Sequence, residues 1–139
     1  MANPSTIRNG LATQLKTISA LKRVYTRWPN IIDVPCAIIK RGQAEPEQTF
    51  GRGDLTMWPF EIYVFVSGAG GFENAQDNAD PFAATSSTGG IYGAINADRT
   101  LGGVVASTFI KQIREDTDWQ VGDGIDFYGF VAEVECWST

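Results

Sequence analysis

The chain has 139 residues and a mass of 15.1 kDa, the size of one domain, and no compositionally distinct half divides it, so residues 1–139 are read as a single unit. Apolar residues make up 43% and aromatics 12%, which excludes global disorder. There are 16 acidic and 11 basic residues, a net charge of -5, and no histidine: the balance lacks the electrostatic footprint of a sequence-independent DNA binder, and the missing imidazole removes Ser-His-Asp and Cys-His catalysis and His-containing zinc sites.

Asn3 is placed to cap a helix whose first residue is Pro4, and Ile7, Leu11, Leu15 and Ile18 recur along one stripe, predicting an amphipathic helix over about 4–20. Residues 23–28 alternate weakly up to Pro29 and read as a short strand; 35–41, bounded by Pro35 and Gly42, read as a better one. The run 42–54 carries Pro46, glycines and acids and predicts a loop long enough to have a function. Residues 55–67 give the strongest strand signal. Phe60, Ile62, Val64 and Val66 share one face and Tyr63 and Phe65 the other, so the strand is interior. Pro59 cannot donate to a ladder and belongs at a bulge or near the start of pairing.

A polar stretch with helical bias, 72–84, is followed by breakers at 85–90 and by a second helix over 91–98, stopped by Gly102 and Gly103. Residues 104–115 and 126–137 predict two strands joined by an acidic turn around 116–124. In the last strand Tyr128, Phe130, Ala132, Val134 and Cys136 alternate with Gly129, Val131, Glu133 and Glu135, one face buried and the other partly wet. The order predicts an α+β fold: a mixed or antiparallel sheet with an N-terminal amphipathic helix and a crossover helix packed on one face. Cys36 and Cys136 sit inside apolar runs and read as buried free thiols in a reducing compartment. No charged N-terminal region precedes an apolar one and no run reaches the ~18 apolar residues of a span, which predicts a soluble protein made in the cytoplasm.

The motifs that carry chemistry fail on inspection. Gly68-Ala69-Gly70-Gly71 follows a strand, but a dinucleotide fingerprint begun there needs glycine at Glu73, and no P-loop sequence occurs. An EF-hand loop begun at Asp116 would need Asp or Asn at Gln120 and glycine at Val121. The carboxylates Glu115, Asp116, Asp118, Asp123 and Asp126 therefore read as a solvated turn, without the apolar pocket that acid-base catalysis would require. Arg52-Gly53-Asp54 matches an adhesion tripeptide that recurs by chance, and Trp28, Trp58, Trp119 and Trp137 fit core and interface packing better than base stacking. No catalytic residue, metal site or cofactor is expected.

Ile7-Arg8-Asn9-Gly10-Leu11-Ala12, Leu21-Lys22-Arg23-Val24-Tyr25, Pro35-Cys36-Ala37-Ile38-Ile39 and Ala94-Ile95-Asn96-Ala97-Asp98-Arg99-Thr100-Leu101-Gly102-Gly103-Val104-Val105, in this order, resemble the tail terminator proteins of long-tailed bacteriophages. The likeness runs almost end to end. Its most specific part is 98–105, where a helix stops at a polar turn and a glycine pair leads into a strand. Arg99 stands where the family often has a proline, and 72–90 is richer in Gly and Ser than the family's usual helix.

The resemblance implies a structural virion protein of the tail and neck, not an enzyme. It would form a ring, a hexamer, that caps the tail tube, ends tube polymerisation and offers a docking face to the head connector. Its partners would be further copies of itself, the major tail tube protein and the head-tail connector or stopper protein, with genomic DNA passing through the channel without specific binding. A protomer of this length has a radius of gyration of about 14 Å, and six such discs leave a central hole wider than a duplex. Another head-tail connector or neck protein is the alternative reading, and a small-molecule binding module a more distant one. Within this reading Phe50, Arg52 and Trp58 are the expected assembly-interface residues, with 42–54 as a docking arm. Arg8, Lys16, Lys22 and Arg23 form a basic group on or just after the first helix, expected to face solvent or an acidic neighbour.

Overall fold

A computed structural model describes residues 4–18, 21–27, 34–41, 56–67, 80–82, 90–121 and 125–138. Helix α1 (Pro4–Leu15) is followed by strands β1 (Arg23–Tyr25), β2 (Cys36–Arg41) and β3 (Thr56–Ser67), helix α2 (Ile91–Ala97), and strands β4 (Ser107–Val121) and β5 (Ile125–Ser138). The five strands form one sheet in the order β1-β2-β3-β5-β4. β1 runs parallel to β2 and the other pairs are antiparallel, so the sheet is mixed and the fold is α+β, as the element order predicts.

The centre of the sheet follows from the doubly apolar pattern of β3. Phe60, Ile62, Val64 and Val66 join Ala37 and Ile39 of β2 and Tyr128, Phe130, Ala132, Val134 and Cys136 of β5 on the face covered by the helices. Ile7, Leu11 and Leu15 of α1, with Ile18 beyond it, and Ile91, Ala94 and Ile95 of α2 complete this core, and Gln14 Nε2 donates to the Ala94 carbonyl at 3.0 Å to tie the two helices together. Cys36, Ile38, Tyr63, Phe65 and Val131 form a smaller buried cluster on the opposite face. The two thiols are thus on different faces of the sheet. Both are free, and burial pushes the Cys136 thiol up to about 12, leaving it protonated and unreactive.

Four boundaries differ from the sequence expectation. α1 stops at Leu15 rather than near 20, because the chain tightens: Thr17 and Ile18 donate backbone bonds three residues back, to Gln14 and Leu15, and the Thr17 hydroxyl takes the Gln14 carbonyl at 2.6 Å. β1 ends at Tyr25, and Trp28 lies outside the described residues. β4 begins at Ser107, after a turn closed by Val105 N–H donating to the Thr100 carbonyl at 3.1 Å. It then runs through the acidic stretch read as a turn, to Val121, because pairing with β5 outweighs the low strand propensity of Asp and Glu. Pro59 lies one residue before the β2–β3 pairing starts at Phe60, but on the other side it stands within the unbroken β3–β5 ladder, opposite Glu135, rather than at a bulge. The helical bias of 72–84 is seen as a helical turn at 80–82, its other residues lying outside those described.

Candidate functional site

Where α2 ends, Asp98 organises the turn that leads into β4. One carboxylate oxygen accepts from Thr100 N–H at 3.1 Å and the Thr100 hydroxyl at 2.6 Å, and the other accepts from Gly102 N–H at 2.9 Å. The Thr100 hydroxyl in turn accepts from Gly103 N–H at 3.2 Å. These bonds hold three successive residues at positive φ, Leu101 at 53°, Gly102 at 74° and Gly103 at 92°. Leu101 points into the core against Gly10 of α1. The segment 98–105, the most specific part of the sequence resemblance, is therefore the joint that seats α1, α2 and β4 on one another.

The Thr100 side chain first, then the Gly102 and Thr100 backbone N–H groups, hold the Asp98 carboxyl below its ordinary value of 3.8. A depressed carboxylate contributes stability in full above the unfolded value and loses it as pH falls through the folded one. The melting temperature should therefore fall below about pH 4 more steeply in the wild type than in Asp98→Asn, whose amide does not ionise and has one oxygen where the turn uses two. Parallel melting curves from pH 2.5 to 6 check this, and superimposable slopes would contradict it.

β4 is the far edge of the sheet, with no strand on its outer side among the described residues. Register shifts between Ile110 and Gln112 and between Arg114 and Thr117 break it into short lengths. Thr108, Ile110 and Ile113 face the helix-side core, while Phe109 is 44% exposed. The Arg99 guanidinium lies over the Phe109 ring, 5.3 Å from its centroid, and is steadied by Arg99 Nε donating to Asn96 Oδ1 at 2.5 Å.

On the sheet face away from the helices a chain of charges crosses β4, β5 and β3. Arg114 meets Glu61 at 2.5 Å and Glu133 at 3.8 Å, Lys111 lies 3.9 Å from Glu135, and Gln112 donates to Glu133. Tyr63 donates to Glu61 at 3.1 Å; burial first, then the Glu61 charge, raises its phenol above the ordinary value. These groups satisfy one another across the strands, an arrangement that fixes register. Among the described residues no three metal-ligating side chains converge.

Of the expected interface residues, Phe50 and Arg52, with the arm 42–54 that carries them, lie outside the described residues. Trp58 is in β3, opposite Cys136, and packs partly buried against the helix-side core. Phe109 and Arg99 are the surface pair that sequence reasoning missed. The available signal was a large aromatic at the out-of-phase position between Thr108 and Ile110, next to a turn bearing an arginine. No protein-family model matches the chain, and no curated protein sequence matches it.

Proposed function

We propose that the chain is a tail-terminator-like structural protein that closes into a ring on a phage tail tube, ends tube growth and presents a docking face to the head connector. The observation that carries this reading is the β4 edge, which no strand covers among the described residues, with Phe109 beside it. An edge of 15 residues presents backbone donors and acceptors to a neighbour, and an exposed aromatic provides an apolar anchor. The opposite edge, β1, has 3 residues. Unlike edges favour head-to-tail contacts, and a closed cycle of such contacts has two different faces, as a cap between tube and connector requires. The bulges in β4 fix where a neighbour can pair, so the contact has one register.

The test is to add purified protein to polymerising tail tube protein and follow tube length by light scattering and electron microscopy. Defined lengths with ring-capped ends are expected, and unlimited growth would overturn the proposal. Phe109→Asp places a charge on the contact while leaving the buried core intact. It should abolish capping with a melting temperature within a few degrees of wild type, as surface substitutions usually do. Normal capping by this variant would remove β4 as the contact edge.

A further inference from the structure

Three arginines from separate parts of the chain meet at one end of the sheet. Arg8 of α1, Arg27 just beyond β1 and Arg41 at the end of β2 line, with the β2 residues Ile39 and Lys40, a cavity of about 310 Å³. The parallel register that sets Tyr25 opposite Ile38 sends the chain after β1 towards this end of β2, and α1 lies across it. Arg8 reaches the same place: its Nη1 donates weakly to the Thr26 carbonyl at 3.4 Å, while its Nε is buried with no hydrogen-bond partner.

Two features of this cluster favour an anion. The buried Arg8 Nε lacks an acceptor for its lost hydration, and the exposed Arg27 and Arg41 add a mutual repulsion that solvent screens only in part. No carboxylate among the described residues forms an ion pair with any of the three arginines. Lys40 shares the opposite face of the sheet with its cross-strand partner Glu61, which is held by Arg114 and Tyr63. The chain as a whole carries a net charge of -5, so the concentration of cations here is local and not a by-product of a basic composition.

One occupant relieves both costs: an anion with several acceptor oxygens. We propose that this cavity is a binding site for a phosphate-class oxyanion carrying two or more negative charges, of which a diphosphate group is the type. Guanidinium forks match phosphate oxygens in bidentate pairs. A lone carboxylate, with a single charge, would leave most of the cluster uncompensated. The site is a property of the single chain and does not rest on ring assembly.

The experiment is calorimetric titration of the full chain with pyrophosphate, inorganic phosphate, a short DNA duplex and a glutamate-rich peptide, paired with melting curves. Saturable pyrophosphate binding, at least about tenfold tighter than inorganic phosphate, is expected. Arg8→Gln and Arg41→Gln should each weaken it by about tenfold or more, and Lys16→Gln, the same charge change outside the cavity, should not. Arg8→Met removes the unpartnered Nε and should bind poorly yet melt no lower than wild type; if either Arg8 variant misfolds, Arg27→Gln on the exposed rim tests the same loss.

Competition between duplex and pyrophosphate would support the site with nucleic-acid backbone as the phosphate source, and pyrophosphate binding without duplex binding would support it with a free ligand. Absence of pyrophosphate binding at millimolar concentration would overturn the proposal. So would duplex binding alone, equal affinity for the acidic peptide, or titrations unchanged by the Arg8 and Arg41 variants.

Discussion

Gly129→Ala is expected to destabilise the fold by about 4 kcal/mol, a value in the exceptional range for a single substitution. Gly129 sits in β5 between Phe65 of β3 and Thr117 of β4. A Cβ placed on it would lie 1.9 Å from the Val64 carbonyl oxygen, 2.9 Å from the Val64 carbonyl carbon and 3.0 Å from the Phe65 ring. The ring can turn. The carbonyl cannot, because it belongs to the backbone of the central strand, and moving it parts β3 from β5 along the longest continuous register in the sheet. With total stabilities of small domains near 5–15 kcal/mol, such a loss leaves a largely unfolded or aggregating protein at 37 °C.

Gly102→Ala is the useful comparison. Gly102 has φ 74° and open space around it, so the cost is conformational alone, about 1 kcal/mol. Urea unfolding followed by tryptophan fluorescence measures both. A Gly129→Ala midpoint as close to wild type as that of Gly102→Ala would mean that the β3–β5 approach is looser than the register implies.

The parts of this fold that were legible in the sequence are those where one residue pattern has one physical solution. Apolar residues on both faces of β3 can be satisfied only in the middle of a sheet, and β3 lies between β2 and β5. The stripe Ile7, Leu11 and Leu15 reports a single buried helix face, and Ile18, expected on the same helix, is buried from the turn beyond it. What stayed hidden depends on partners distant in sequence. The second half of β4 is strand because β5 pairs with it, although its acidic residues favour a turn. Proximity along the chain groups Arg8 with Lys16, Lys22 and Arg23, whereas the fold sets it beside Arg27 and Arg41 through the parallel β1–β2 pairing. Arg99 over Phe109 likewise requires knowing that the turn after α2 folds back on the β4 edge.

Leu101 carries the second large effect, and its sign can be read in two ways at once. The residue is buried yet has φ 53°, a left-handed conformation that costs a residue with a Cβ about 1–2 kcal/mol. Leucine persists there because its side chain fills the angle between α1 and the turn, and its backbone N–H closes that turn on the Asp98 carbonyl at 3.1 Å. Leu101→Ala keeps the backbone strain and loses the packing, so about 3 kcal/mol should be lost. Leu101→Gly loses slightly more packing but relieves the strain, and that relief exceeds the ~0.4–1 kcal/mol by which glycine favours the unfolded chain.

The glycine variant should therefore be the more stable of the two by up to about 1 kcal/mol, the reverse of the order seen at ordinary buried sites. Gly10 provides an independent arm: a Cβ there would stand 3.0 Å from the Leu101 Cβ, so Gly10→Ala should cost about 1–2 kcal/mol in the wild type and much less beside Leu101→Gly, where that atom is gone. Denaturant midpoints of the four proteins in this cycle measure the coupling. Additive costs, or a Leu101→Gly variant less stable than Leu101→Ala, would show that the turn does not press on α1 and that the left-handed backbone is not what Leu101 holds in place.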